Sequence, residues 1–478
     1  AVNAYKALMT NYPSDTNIPE ARFMIAESYW ALKDYENALQ AYNDVLEKDP
    51  GGPHTVESIF KIGECNYQLG NKKIALQWYD KVINEYPDSP IVKDATYSKL
   101  WALHDLRRYD EVERVGREYI EKYKKDPIYD VAAAEAQTKL GDIKFEDENY
   151  ISAADEYLKV VAEYSDLPKF DPFKSRALLQ AGISYYQEAE RNNFDESLLA
   201  KAADAYSRLI DMYEKKFDKS KREFEGRTEY VNKGIINLGL TYSKLKQFDK
   251  ATEVLGMMPK NSPDYGMSVF VRGQAYIDAG KPEEAIALYR QMVNDKSISE
   301  SWRSRAAVEL ATKLREDGKY QEAIAEYERI LREFPNSEFL SMALYYIGSS
   351  YYDMEPRTPE NISKAIEAFQ QVVDKFPQSE TAPWSHLGIL MAYDASGDYN
   401  MVIKTADEIE MKYANSTSPD AKRVVDAARR QKVDTMQKLE EGISTDALIA
   451  ELRKIATNPI GDVDGKAAAQ MRIGTLLF

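Results

Sequence analysis

At 478 residues, with 44% hydrophobic, 11% aromatic and 30% charged side chains, the chain has enough apolar material to fold. A net charge of −16 sets its surface against nucleic-acid phosphates and anionic lipid headgroups, and suits a basic or mixed-charge protein partner. The single Cys65 excludes an intrachain disulfide, and no apolar run reaches the roughly 18 residues of a membrane helix.

An alanine followed one helical turn later by an aromatic recurs along the chain. The pairs are Ala1/Tyr5, Ala38/Tyr42, Ala75/Tyr79, Ala153/Tyr157, Ala202/Tyr206, Ala285/Tyr289, Ala323/Tyr327 and Ala365/Phe369, and four residues place both members on one helix face. Twelve residues earlier stand small residues: Ala26, Gly63, Gly141, Gly273 and Ala311, with Gly239 twelve before Ala251. Twelve residues after these alanines stand Pro13, Pro50, Pro87, Pro263, Pro335 and Pro377. Chance would place only about 0.4 prolines at those nine positions, so the period is a property of the chain.

Each unit reads as two helices. The first carries a small residue where the second crosses closely, and Tyr or Leu three positions on (Tyr29, Leu103, Tyr185, Tyr242, Tyr276, Leu314, Tyr351, Tyr393) fills the groove beside it. Short turns follow at Lys33-Asp34, Gly70-Asn71, Gly280-Lys281 and Asp317-Gly318. The second helix presents its alanine and aromatic inward, and proline ends it.

In chain order, residues 1–13 read as a second helix without its first. Full units follow over 25–50 and 62–87, and the pattern decays over 95–127, where Val112 and Gly116 replace the alanine and aromatic. The fifth unit has eight extra residues between its helices, around Asn192 to Asp195. The stretch 215–230, with Lys215, Lys216, Lys219, Lys221 and Arg222, reads as a solvated charged connector. Units resume over 231–415, including 310–335 and 347–377, the latter with five extra residues containing Pro356 and Pro359. Helices without the pattern are expected at 420–439 and 445–456, and the last ten residues read as half of a new first helix. Both ends lack the polar caps a solenoid needs, so the chain is expected to be part of a longer one.

The small residue, Tyr or Leu, Ala-x3-aromatic and proline positions resemble the tetratricopeptide repeat. The endings at Glu85, Glu333 and Lys375, each followed by an aromatic, Pro, a polar residue and Ser, are similar to the longer-period repeats of bacterial cell-envelope proteins: outer-membrane assembly lipoproteins and the Tol–Pal-associated type. The resemblance covers about residues 1–415. It implies an all-α, right-handed superhelical solenoid of about ten helix-turn-helix repeats, arranged as subarrays over 1–214 and 231–415 with irregular helices over 416–478. It also implies that the first helices line a groove for an extended or helical protein segment. The residues facing that groove would be Phe23, Glu27 and Trp30, then Phe60, Glu64 and Tyr67, then Tyr97, Trp101 and His104. Aromatic anchors bordered by carboxylates suit a partner with apolar and basic side chains. The same stripes are equally consistent with core packing.

Chemistry is not legible. The three histidines, His54, His104 and His386, lack the spacing of a zinc helix, and no phosphate-cradling or nucleophile-elbow motif is present. The expectation is therefore a non-catalytic scaffold, with no cofactor and no metal, binding protein or peptide segments rather than nucleic acid. The resemblance points to a periplasmic or cell-envelope complex for assembly, motility or secretion. The alternatives are a cytosolic adaptor or co-chaperone, or the substrate-positioning superhelix of a larger cell-wall enzyme.

Overall fold

The computed structural model describes residues 1–216, 229–439, 444–457 and 463–477. Among them it holds 24 α-helices, one short 3-10 turn and no strand. Two compact units divide the chain, Ala1–Gln247 and Phe248–Phe478. Most of the charged connector expected over 215–230, namely 217–228, lies outside the described residues, as do Lys219, Lys221 and Arg222 of its basic cluster.

In the first unit, α1 (Val2–Asn11) precedes five helix pairs. These are α2 and α3 (Ile18–Ala31, Tyr35–Lys48), α4 and α5 (Thr55–Gln68, Lys72–Glu85), and α6 and α7 (Val92–Asp105, Tyr109–Tyr123). Then come α8 and α9 (Asp130–Glu146, Tyr150–Glu163), α10 and α11 (Asp171–Arg191, Glu196–Lys216), and α12 (Glu229–Lys244). The second unit opens with α13 (Phe248–Leu255) and pairs α14 with α15 (Tyr265–Asp278, Pro282–Asn294) and α16 with α17 (Glu300–Glu316, Tyr320–Glu333). It continues with α18 and α19 (Leu340–Asp353, Pro359–Lys375) and α20 and α21 (Thr381–Ser396, Tyr399–Tyr413). It ends with α22 (Pro419–Lys438), α23 (Thr445–Ala456) and α24 (Val463–Leu477). Within each unit a helix packs on its neighbours in sequence, and first helices also touch the next first helix, as α4 touches α6 and α10 touches α12.

The repeat follows from three local devices. The first is the close approach of a small residue to an aromatic ring. A Cβ on Gly63 would lie 2.6 Å from the Tyr79 ring, and one on Gly348 would lie 2.7 Å from Phe369. Gly141, Gly182 and Gly273 meet Tyr157, Tyr206 and Tyr289 in the same way. These rings are fully enclosed: Tyr42, Tyr79, Tyr289 and Tyr327 are 0% exposed. Burying a ring of this size against a bare helix backbone supplies apolar area without pushing the axes apart.

The second device is the turn. Most first helices end with one residue in the left-handed region, at Lys33, Gly70, Arg107, Glu148, Lys246, Gly280, Gly318 and Gly397, whereas α10 is followed by two, Asn193 and Phe194, and α18 by none. The next amide reaches back to a carbonyl one turn earlier, as Asp34 N–H does to Tyr29 and Lys319 N–H to Leu314, closing a Schellman motif. Six of the residues noted in the sequence, Tyr29, Leu103, Tyr242, Tyr276, Leu314 and Tyr393, are therefore also those whose carbonyl the turn uses. Asp34, Asn149 and Asp398 then cap the following helix by accepting from the amide three residues on. The third device is proline. Pro50, Pro87, Pro335 and Pro377 each stand two residues past the end of a second helix.

Two expectations are corrected. The eight extra residues of the fifth unit do not form a loop: α10 and α11 are each 21 residues long, and only 192–195 connect them. Ala189 and Leu199, both 0% exposed, show why, because the added turns bury an apolar face of their own. The decayed stretch 95–127 is an ordinary pair. There Gly116 admits Leu140 at 3.1 Å from its would-be Cβ, and Tyr119 packs on Tyr97. The irregular helices at 420–439 and 445–456 match α22 and α23. Cys65 is buried in the core, where burial pushes its thiol pKa up to about 12.

Candidate partner-binding surface

The residue after each small one decides what the buried tyrosine sees. Tyr79 Oη donates to Glu64 at 2.7 Å and Tyr157 Oη to Asp142 at 2.8 Å, each fifteen residues apart. Tyr42 donates to Glu27 in the same register. Burial first, and the carboxylate second, raise the pKa of the Tyr42 hydroxyl far above its ordinary value. Glu27 and Glu64 are thus half-buried acceptors for the core rather than free carboxylates.

The other candidate residues are tied to the next first helix. Phe23 is 6% exposed, stacked on His54 at 4.3 Å and tilted against Tyr42, so its ring belongs to the core. Trp30 is half-buried, edge-on to Tyr35 at 5.2 Å, with the Lys61 ammonium of α4 4.7 Å above its ring. Phe60 is half-buried beside Tyr79. Tyr67 donates to Asp105 of α6 at 2.9 Å, and its own pKa is pushed up to about 12 by burial and then by that carboxylate. Tyr97 donates to Glu135 of α8, and Trp101 lies under the Lys139 ammonium of α8 at 4.5 Å. His104 sits 3.5 Å from Glu146.

The structure leaves Trp30 of α2, Tyr67 of α4, and Tyr97 and Trp101 of α6 half-buried, each tied to a residue of the next first helix, as the candidate strip. It takes Phe23 out of that strip. Sequence reasoning missed the partners that complete each rung: Lys61, Asp105, Glu135 and Lys139. Their signal was the repeat period, since Tyr67 and Asp105, like Tyr97 and Glu135, are 38 residues apart. Rings flanked by cations and carboxylates, part covered and part open, can hold an extended segment through apolar and charge-assisted contacts. Among the described residues no cluster of three His, Cys, Asp or Glu could hold a metal ion, and no helix is long and apolar enough to cross a membrane.

Comparison with known proteins agrees with the repeat. A tetratricopeptide-repeat family model matches residues 20–52 and 57–89, and the outer membrane lipoprotein family YfiO matches residues 264–391. No curated protein matches in sequence. Among solved structures, the Naa15/Naa10 complex bound to HypK-THB is 13% identical, with 95% of this chain and 73% of that one covered at a TM-score of 0.35. Yeast Tom70 is also 13% identical, over 89% of this chain and 99% of its own, at 0.34. The Cut9-Hcn1 hetero-tetramer of the APC/C is 12% identical, over 98% of each chain, at 0.29. The tetratricopeptide match covers residues 20–52 and 57–89, helix pairs of both units share its small-residue-to-ring packing, and such repeats indicate protein–protein interaction scaffolding.

Proposed function

From helix pairs of the tetratricopeptide type, we propose that the protein is a non-catalytic scaffold of a bacterial cell-envelope complex. It takes an apolar and basic segment of a partner along the first helices of its N-terminal unit. The observation that carries this reading is the strip of Trp30, Tyr67, Tyr97 and Trp101, whose rings are held half-open by residues of the next first helix. A net charge of −16 favours a basic segment. The envelope setting is supported by the lipoprotein family match over 264–391.

The test is photo-cross-linking in cells of the native organism, with the reactive residue at Trp30, Tyr67 or Trp101, and at Lys73 and Gln77 on the outer face of α5 as controls. A partner captured from the strip, absent from the α5 positions and lost with Trp101→Ala supports the reading. Equal capture from both faces overturns it. Fractionation of the same cells tests the setting, since recovery from the cytosol alone would rule out the envelope.

A further inference from the structure

The close approach of a small residue to a ring is left unfilled at one glycine of this register. A Cβ on Gly63, Gly141, Gly182, Gly273 or Gly348 would meet an aromatic ring of the following second helix, whereas one on Gly474 of α24 would meet nothing within 4 Å. Gly474 otherwise keeps the register of a first helix. Ile473 precedes it as Ile62 precedes Gly63 and Ile347 precedes Gly348, and Leu477 stands three residues on, as Leu314 does after Ala311. Leu314 is 1% exposed, but Leu477 is 64% exposed. Ala469 and Ile473 are buried in one cluster with Val433 of α22 and Leu452 of α23, so α24 is held by one face and open on the other. The helix α1 carries the opposite half. Its Ala1, Tyr5 and Leu8 have the spacing of Ala38, Tyr42 and Val45, which are enclosed, yet no residue of α1 is buried. Of the alanine–aromatic pairs in the repeat, Ala1/Tyr5 is the one left open.

We infer that α24 of one copy receives α1 of a second copy, with the Tyr5 ring over Gly474 as Tyr79 lies over Gly63, so that copies join head to tail by completing a helix pair. The inference goes beyond the partner strip and does not depend on it. Two features select α1 as the occupant. The slot is shaped for a ring, because bare backbone at Gly474 lies between the exposed Leu477 and the buried Ile473. It also suits a hydroxyl. Thr475 follows Gly474 as Thr312 follows Ala311, and Thr312 shares a hydrogen bond with Tyr327 Oη at 3.0 Å. Thr475 Oγ1 is exposed and donates to the Met471 carbonyl at 3.2 Å, which leaves its oxygen free to accept from Tyr5. A net charge of −16 makes copies repel at long range, so a joint of this apolar kind strengthens as salt screens them. Two different faces meet, so each joined pair keeps one open α1 and one open α24, and joining continues past two copies.

The experiment is sedimentation velocity of the full chain from about 1 to 100 μM, the range in which an interface of one helix pair should act. Dimers and then longer species should grow with concentration, and more so at higher salt. Gly474→Leu fills the open slot without a clash, and should weaken joining about tenfold or more while thermal unfolding is unchanged or raised. Tyr5→Ala should weaken it similarly and Tyr5→Phe much less, because Phe369 fills the matching place over Gly348. Leu477→Lys, at an exposed position, should weaken joining independently and keeps the test decisive if Gly474→Leu disturbs α24. The mixture is the sharpest readout. Gly474→Leu and Tyr5→Ala chains each keep the half that the other lacks, so together they should form dimers and nothing longer. A single species at every concentration, growth that stops at two for the parent chain, joining unchanged by Gly474→Leu and Leu477→Lys, or a mixture that does not pair would each overturn the inference. Capture from Trp30 and Tyr67 is read separately, so the joint and the scaffold reading fail independently.

Discussion

The two units build the same helix pair with different chemistry at two positions. In the first unit the enclosed tyrosines Tyr42, Tyr79 and Tyr157 donate to carboxylates. In the second, Tyr327 shares a hydrogen bond with Thr312 at 3.0 Å, Tyr289 reaches the Phe270 carbonyl at 3.4 Å, and Phe369 has no hydroxyl. The turns differ as well. The left-handed position is Lys33, Arg107, Glu148 and Lys246 in the first unit, with Gly70 the exception, whereas the second uses Gly280, Gly318 and Gly397. Packing sets the repeat, since both units share the small-residue-to-ring contact. Hydrogen bonding and turn strain are free to vary around it, and they distinguish the first unit as the more charged and more strained of the two.

The largest effect that separates the units is acid. His386, buried on α20 with Nδ1 3.3 Å from Tyr413 Oη, has its pKa lowered to about 4, first by burial and then by the Lys412 charge, against the opposing Asp374. A histidine held neutral contributes stability that is full above its unfolded pKa of ~6.5 and is lost as pH falls toward 4, ~3 kcal/mol in all and ~2 of it by pH 5. Urea unfolding followed by tryptophan fluorescence should show this loss in the transition of the second unit, and His386→Gln should flatten it. In the first unit the key carboxylate is Glu156. Burial pushes its pKa up, but Arg117, Lys159 and Gln137 outweigh that and hold it below its ordinary value. Its contribution is full above the usual carboxylate range and is lost only as pH falls through that range toward its lowered folded value. A first unit that softened before the second between pH 6.5 and 5 would contradict this order.

Next in size is the tyrosine acceptor. Glu27→Ala leaves the enclosed Tyr42 hydroxyl without its carboxylate and should cost ~2 kcal/mol, while Thr312→Val beside Tyr327 should cost ~1 kcal/mol or less. Denaturant midpoints of the two variants make the comparison directly. Equal losses would mean that the carboxylate adds nothing over a hydroxyl.

Much of this architecture was legible because it rests on residue types that are scarce. A glycine or alanine facing an aromatic at fixed spacing, with proline two residues past the helix end, stands out, as Gly63, Tyr79 and Pro87 do. The acceptors did not stand out, because Glu27, Glu64 and Asp142 are three among 79 acidic residues and nothing but the fold shows where they point. Nor did the form of the fifth pair. Extra residues read as a loop when the template is a short helix, yet Ala189 and Leu199 continued the apolar face and lengthened α10 and α11 instead. The candidate strip was half legible. Trp30, Tyr67, Tyr97 and Trp101 stay partly exposed on the first helices, whereas Phe23 turned inward onto His54. A single residue of helical phase separates a groove residue from a core residue, and aromatic spacing alone does not resolve it.

The close approach itself offers a smaller test. Gly63→Ala gains ~1 kcal/mol of helix propensity but drives a methyl into the enclosed Tyr79 ring, an overpacking cost of ~1–3 kcal/mol. The net expectation is a loss of ~1 kcal/mol in thermal unfolding. At the matching position of the second unit, Ala311→Gly should lose a similar amount, through backbone entropy rather than a clash. Stabilisation by Gly63→Ala would show that the ring can yield.

The smallest effect has the sharpest sign. Lys33 sits at φ 59° and Gly318 at φ 74° in equivalent turns, each closed by the same pair of backrunning amide hydrogen bonds. A side chain in the left-handed region costs ~1 kcal/mol, so Lys33→Gly should stabilise the first unit by up to that amount, less the extra freedom glycine gains when unfolded. Gly318→Ala should destabilise the second unit by ~1 kcal/mol, because its would-be Cβ meets nothing within 4 Å and only the backbone conformation opposes it. Opposite signs at equivalent turns, read from two thermal unfolding curves, would place the difference between the units in backbone strain. If both substitutions destabilised, the Lys33 side chain would have to be making a compensating contact in its turn, and the left-handed residues of the first unit would be supported rather than strained.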